Sequence, residues 1–392
     1  MASPAFARAM AHLDAEHERL DDETIALQQI PAPYRKEDVK ARAYALLLEA
    51  AGLSDVSTDA EGNVTGIRKG TGGGNGMVAL VSHLDTVFGF DTDLTVKREG
   101  TRLNAPGIAD NTRGVASHLA LIRAMDAAGI RHGRDILFVG SVGEEGRGDL
   151  RGVKHLLGAG KYKYAIARFI ALDGSSPERI VDTAVGSRRY RVTFTGPGGH
   201  SFAAFGTVNP AFALGAAVSG MAGMKVPEGT TYSVGLLGGG TSINAIPLEA
   251  WMDIDLRSSS PRDLDALEAE VRRFVATAVA DENRARSTST GAIAVRFDLI
   301  GDRPAGCTPP GEDLLAIAHE AVAAQGWEPT FVASSTDSNV PISLGIPAVT
   351  IASGIGGRAH STDEHLDIEK SGSLRVLGAA LATLLAAAEM EV

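Results

Sequence analysis

Seven acidic and imidazole side chains recur along the chain in settings that suit metal-assisted hydrolysis. They are His83 and Asp85 in VSHLDTVFG, Asp110 in APGIADNTRG, Glu144 and Glu145 in SVGEEG, Asp173 in ALDGSS and His360 in GRAHSTDEH. Four follow short apolar runs and stand beside Gly or Ser, which puts them at strand ends, where loops carry function. Imidazole and carboxylate without thiolate suit Zn²⁺, Mn²⁺ or Co²⁺. Cleaving an amide with such a set takes a nucleophilic water, a base for its proton and positive charge beside the oxyanion. Two cations roughly 3.5–4 Å apart, bridged by a carboxylate and a water, supply the first and the third. One carboxylate must then bridge, and another must stay free as the base.

Taken singly, each position admits a plainer reading. His83-x-Asp85 also describes a hydrogen-bonded surface pair, although a ligating imidazole usually hands its other N–H to a carboxylate. Asp110 and Asp173 could cap helices, and His360 could serve a loop. Glu144 and Glu145 are like charges that would normally separate into solvent, whereas beside a cation one can ligate while the other remains a base. The order of all of them, at successive strand ends, favours the two-metal reading.

The elements needed to position these groups are legible. The segment 35–53 reads as a helix, Met77–His83 as a buried strand, and a helix starts near Thr112. Asp135–Val142 and Ile166–Leu172 read as further strands, with a short helix around Val153–Gly160 between them. Strands alternating with helices imply a layered α/β sheet with ligands at the strand carboxyl ends. The pattern changes near Gly186: RRYRVTFTG and AWMDIDLRS alternate, with Trp251, Asp253 and Asp255 on one face, and NPAFALGAAVSGM is helical. Ser260–Pro261 signals another helix start, running to about Ala280, and AIAVRFDLIG is a strand. The α/β pattern resumes near Asp313 and closes with a helix from about Glu369. The expected organisation is therefore a catalytic domain in two parts, 1–185 and 302–392, interrupted by a smaller α+β domain at 186–301. The Gly-rich stretch 70–76 precedes a strand and reads as a turn rather than a phosphate cradle.

Composition excludes several classes. The chain has 392 residues, 44% apolar and 22% charged, a globular profile too long for one core. A net charge of −11 argues against nucleic acid or an anionic membrane surface as partner. One cysteine, Cys307, leaves no disulfide framework and no thiolate zinc cage. The N-terminus lacks the apolar core of a signal peptide, and no stretch reaches the roughly 18 apolar residues of a membrane span. The cytoplasm is the expected location.

The motifs resemble those of the dinuclear zinc peptidase and deacylase superfamily that contains glutamate carboxypeptidase, peptidase T, aminoacylase and succinyl-diaminopimelate desuccinylase. SHLDTVFG, APGIADNTRG, GEEG, LDG, GPGGHS, GGTSINAIP, DLRS, TDSN and AHSTDEH carry the resemblance over almost the whole chain. It implies a mixed-sheet catalytic domain and two divalent metal ions, zinc first, with manganese or cobalt as alternatives. Asp110 would bridge, with His83 and Asp173 on one metal and Glu145 and His360 on the other. Asp85 would orient His83, and Glu144 would be the general acid/base. The peptide bond after the bridging aspartate is often cis in such proteins, which implies a cis bond between Asp110 and Asn111. The inserted domain would be a lid and dimerisation domain. Its His200 would act across a homodimer as an oxyanion donor, and Asn244 and Arg257 would hold the substrate's carboxylate or backbone. Asp337 would lie near the substrate pocket, as support or as contact, and the glycines at 353–357 would let backbone approach the substrate. The expected reaction is cleavage of short peptides. Deacylation of an N-acyl amino acid is the alternative, and a non-catalytic dimeric binding protein a distant one.

Overall fold

The run MVALVSH lacks alternation because both of its faces are buried, the mark of a parallel central strand. In the computed structural model, which describes residues 3–72 and 74–391, this strand spans Met77–His83 and every residue in it is buried. Val78 and Leu80 join one apolar cluster with Phe138, Ile170 and Leu172. Ala79 and Val81 join a second, with Leu137, Val139, Phe169 and Ala171. The clusters lie on opposite faces of the sheet, because successive side chains of a strand point to opposite sides.

The central sheet runs in the order Ser54–Thr58, Val64–Arg68, Ile136–Ser141, Met77–His83, Ile166–Leu172, Ala348–Ile351, Arg179–Ala184. The four middle strands of that series are mutually parallel, so their carboxyl ends share one edge of the sheet. The helices Asp38–Ala50 and Arg113–Ala127 contribute Tyr44 and Leu119 to one face, and Arg151–Gly158 contributes Val153 and Leu156 to the other. A smaller antiparallel sheet pairs Ile355–Gly357 with His365–Asp367, and the latter with Arg102–Asn104.

The chain divides into two compact units: one of residues 1–184 and 307–392, the other of residues 185–306. The second boundary lies later than the sequence pattern placed it, because the last strand of the insert continues through Arg303. That unit is a four-stranded antiparallel sheet in the order Thr230–Gly239, Glu249–Ser258, Gly186–Thr195, Ala294–Arg303. Ala250, Met252, Ile254 and Leu256 point into a core shared with the helices Pro210–Ala222 and Pro261–Ala285. Trp251, Asp253, Asp255 and Arg257 alternate with them on the opposite, half-buried face. Both helices begin as read, with a side-chain cap (Asn209, Ser260) followed by Pro.

Among the glycines at 353–357, a Cβ on Gly354 would meet Leu366 and one on Gly356 would meet the His365 carbonyl, so both serve packing within the first unit. The helix expected from residue 35 begins at Asp38, because Pro33 is bridged to Thr86 and Arg35 adopts a left-handed φ of 59°. Within the 70–76 turn, Gly70 donates to Asp135 at 2.8 Å, and Gly73 lies outside the described residues. No helix is long and apolar enough to cross a membrane among the described residues.

Candidate metal centre

Each expected ligand emerges where a central strand ends or where a loop meets that edge. His83 closes its strand, Glu144 and Glu145 follow Ser141, and Asp173 follows Leu172. Asp110 sits in a distorted turn, Ile108–Thr112, where residues 110 and 111 leave helical geometry and the bond between them is cis, as the resemblance implied. His360 lies in the loop entering His365–Asp367 and holds a left-handed φ of 64°, an uncommon conformation for a non-glycine residue.

These side chains converge. Asp110 divides its two oxygens: Oδ1 is 2.9 Å from His83 Nε2, and Oδ2 is 3.1 Å from His360 Nε2. His83 Nε2 is also 3.9 Å from Asp173, and His360 Nε2 is 2.8 Å from Glu145. Donor atoms of His83, Asp110 and Asp173 lie within 4.8 Å of one another, as do those of Asp110, Glu145 and His360, and those of His83, Glu144 and Glu145. Asp110 thus belongs to two of these groups, as do Glu145 and His83, and Asp110 is the carboxylate common to the groups that hold Asp173 and His360. His83 Nδ1 donates to the Asp85 carbonyl at 2.9 Å, so the other nitrogen, turned toward Asp110, carries the lone pair a cation would take.

Charge tells the same story. Burial works against a protonated His83, but hydrogen bonding to Asp110 and the charges of Asp173, Asp110 and Asp85 hold it well above its ordinary pKa. Hydrogen bonds to Asp110 and Glu145 raise His360 to about 10. Burial opposes ionisation of Asp110, yet hydrogen bonds from His360 and His83 keep it well below the usual carboxylate range. Burial and the neighbouring Asp110 charge push Asp173 up to about 7. A cluster this acidic gathers protons onto its imidazoles for lack of other positive charge. Those proton-bearing nitrogens are the atoms a metal would claim, releasing the protons. Two imidazoles and three carboxylates, with one carboxylate shared, fit a pair of divalent cations by chemistry and by placement.

Asp85 is placed differently from its expected part. Its carboxylate stands 3.8 Å from His83 Nδ1, and its Oδ1 and Oδ2 instead accept the backbone amides of Glu144 (3.1 Å) and Glu145 (2.9 Å). It holds His83 through its main chain and the glutamate pair through its side chain. Asp337 is buried and accepts from Ser141 Oγ at 2.5 Å, which makes it a support at the root of the same loop.

Several participants escaped the sequence reading. Glu364, fully buried, accepts amides from Gly107, Ala109 and Asp110. Lys40, also buried, donates to Thr112 Oγ1 at 2.9 Å, and burial lowers its pKa to about 8 against the pull of Asp85. Behind His83, Tyr44 donates to His118 Nδ1 at 2.7 Å and His118 Nε2 donates to Ser82 Oγ at 3.1 Å, while Ser82 donates to the Leu172 carbonyl. Glu364 stood inside AHSTDEH, but nothing local marked it off from a loop acid.

The second unit carries the remaining three residues. His200, exposed, pairs with Ala245 across a two-residue ladder, and its Nδ1 accepts the Phe202 amide at 3.2 Å. That bond leaves Nε2 as the proton-bearing nitrogen. Asn244 accepts the Ser201 amide through its carbonyl and Ser242 Oγ through its side chain. Arg257 pairs with Asp255 at 2.8 Å. Asn244 precedes the strand Glu249–Ser258 and Arg257 lies near its far end. Eight residues of extended chain, about 26 Å, separate Glu249 from Arg257, so the structure does not bring the two together as one clamp.

The sequence profile of peptidase family M20/M25/M40 matches residues 79–387. The chain belongs to this family. It is accordingly an enzyme, a metal-dependent hydrolase of the peptidase and amidohydrolase kind. Among relatives, it is 27% identical over 333 residues to the uncharacterized protein YqjE of Bacillus subtilis (strain 168), covering 81% of this chain and 82% of that one. It is 26% identical over 310 residues to succinyl-diaminopimelate desuccinylase of Corynebacterium glutamicum, covering 75% and 77%. Among solved structures, aminopeptidase PepT of Bacillus cereus ATCC 10987 superposes with a TM-score of 0.76 at 23% identity, covering 94% of this chain and 99% of that one. The M20 fold, a catalytic domain with a mixed sheet and a second smaller domain, is thus the fold of this chain.

Proposed function

We propose that this M20 enzyme cleaves an amide bond of short peptides at a co-catalytic two-metal centre. The observation that carries the reading is the split coordination of Asp110, one oxygen toward His83 and the other toward His360. His83 and Asp173 complete one ligand group, Glu145 and His360 the other. When bound, two divalent cations, zinc first and manganese or cobalt as alternatives, polarise the scissile carbonyl and acidify water. Glu144 is the acid/base: buried, donor-close to His83 and Glu145, and tethered through its amide to Asp85. It takes the proton of the attacking water and returns it to the leaving amine.

The second unit is read as a lid and dimerisation domain. Phe202, Phe205, Leu236, Leu237 and Ile243 are all exposed on it, apolar side chains whose exposure supports an association surface. His200 supplies an oxyanion donor from a partner copy, for which its Nε2–H is suited. Asn244 and Arg257 bind the substrate's backbone or carboxylate, and the length of strand between Glu249 and Arg257 supports separate contacts rather than one joint clamp. Arg257 on a terminal carboxylate, with SHLDTVFG and GPGGHSFAAFG resembling the peptidase T side, supports a peptide substrate. The desuccinylase relative favours a second reading, deacylation of N-acyl amino acids.

A hydrolysis panel with zinc, manganese or cobalt decides between them. It sets di- and tripeptides with free or blocked termini beside N-acetyl and N-succinyl amino acids. Metal-dependent cleavage of peptides, lost in Glu144→Gln, is the expected result. Turnover of the acyl amino acids alone would replace it with the deacylase reading.

A further inference from the structure

The turn that carries Asp110 has almost no regular structure to hold it. Gly107 is left-handed (φ 86°), and Asp110 and Asn111 depart from helical geometry. Its amides nevertheless converge on a single residue far away in sequence. Glu364 Oε2 accepts from Gly107 N at 2.8 Å, while Oε1 accepts from Ala109 N at 2.8 Å and Asp110 N at 2.9 Å. The Glu364 main-chain carbonyl accepts a fourth, from Ala105 N at 3.1 Å. The carboxylate is 0% exposed, beside a small apolar cluster of Leu103, Ala105, Ile108, Ala109, Leu366 and Ile368.

Glu364 also belongs to the turn that carries His360: its own amide donates to the Ser361 carbonyl at 3.1 Å. The two turns leave and enter adjacent strands, since His365 is paired with Asn104. One side chain therefore fastens the loop of one candidate ligand to the loop of another. Charged acceptors make stronger hydrogen bonds than neutral ones, and a ligand set gains from partners that fix its orientation.

We propose that Glu364 is a positioning residue of the metal centre, a buried clasp that sets where Asp110 stands relative to His360. This rests on the reading of Asp110 and His360 as metal ligands. Glutamine keeps the size of the side chain but puts an NH₂ against at least one of the three amide donors. The loop then shifts or loses a bond.

The test is calorimetric titration of Mn²⁺ into the full-length protein, stripped of metal by a chelator. Wild type is compared with Glu364→Gln and with Val139→Ala, a core variant chosen to lower the melting temperature without touching the site. Glu364→Gln is expected to bind Mn²⁺ at least about tenfold more weakly, with the binding restored in part at high metal. Val139→Ala should bind as wild type does. Wild-type affinity in Glu364→Gln overturns the clasp. Equal weakening in both variants also overturns it, since general loosening then suffices. Should Glu364→Gln fail to fold, Glu364→Asp, which keeps the charge but withdraws the acceptor by one methylene, carries the same comparison. No Mn²⁺ binding by wild type overturns the ligand reading itself, and the clasp with it.

Discussion

Replacing Asp85 by Asn separates two descriptions of what that residue does. Its carboxylate is 1% exposed and accepts one amide on each oxygen, Glu144 N at 3.1 Å and Glu145 N at 2.9 Å. Asparagine offers one acceptor and one donor, so one of those amides must face an NH₂. A hydrogen bond to a buried charged group is worth about 1.5–3 kcal/mol, and the stranded donor adds its own desolvation cost. The loss of stability is then about 2–4 kcal/mol, or a melting temperature lower by roughly 4–8 °C in a domain of this size. The amide that moves belongs to the base or to its neighbour, and a misplacement of about 1 Å at a reacting group can cost 10²-fold in rate. Steady-state kinetics on the peptide that wild type cleaves best, with metal content measured on the same samples, should show kcat down about 10²-fold. KM and metal stoichiometry should stay near wild type, because no donor atom has changed. A kcat within threefold of wild type would refute the tether. Loss of metal would show instead that the carboxylate acts through a ligand, Glu145 or His83.

Other predictions rest on separate features. Glu144→Gln should retain metal while kcat falls about 10³-fold or more; retained activity at unchanged metal content removes Glu144 as the base. In the proposed homodimer, equimolar mixing of the inactive Glu144→Gln and His200→Ala proteins should restore about a quarter of wild-type activity, since half the dimers would be mixed and each would have one intact composite site. No recovery after subunit exchange would place His200 in its own chain's site. His118 is held neutral, its pKa lowered by burial to about 3. The unfolded chain therefore takes up a proton below about pH 6.5 that the folded chain refuses, and this contribution to stability, full above pH 6.5, falls by about 1.4 kcal/mol per pH unit toward the folded pKa. Urea melts of chelated protein between pH 7.5 and 5 should show a flatter decline in His118→Gln than in wild type, and parallel profiles would contradict the assignment.

What the sequence disclosed and what it withheld divide along physical lines. Among the candidate ligands, His83, Glu145 and Asp173 were legible because they stand at or just past the ends of apolar runs, and runs such as MVALVSH and IARFIAL are strands whatever surrounds them. Asp110 and His360 lie in turns and were legible through their motifs. The insert was legible because AWMDIDLRS alternates as a half-covered strand must. Glu364 and Lys40 were not, since their partners lie 254 and 72 residues away and a buried charge has no local signature. The first two helices, Pro4–Ala15 and His17–Gln28, passed unread: they present mainly alanine and charge, and their burial is conferred by the helix Arg113–Ala127 that they lie against. Asn244 and Arg257 sit in neighbouring motifs, and only strand register revealed how far apart those motifs stand.

The strand Ala348–Ile351 fills the gap between Ile166–Leu172 and Arg179–Ala184, although both neighbours leave the ribosome long before it does. A nascent chain that has already made the inserted unit still has two unpaired strand edges in the middle of its main sheet, the kind of edge that recruits other chains. The segment that closes the gap is followed, after the strand Ile355–Gly357, by His360. Completion of the sheet and completion of the candidate ligand set therefore both wait on the same late stretch of chain, and a chain interrupted before it carries open strand edges and an incomplete set.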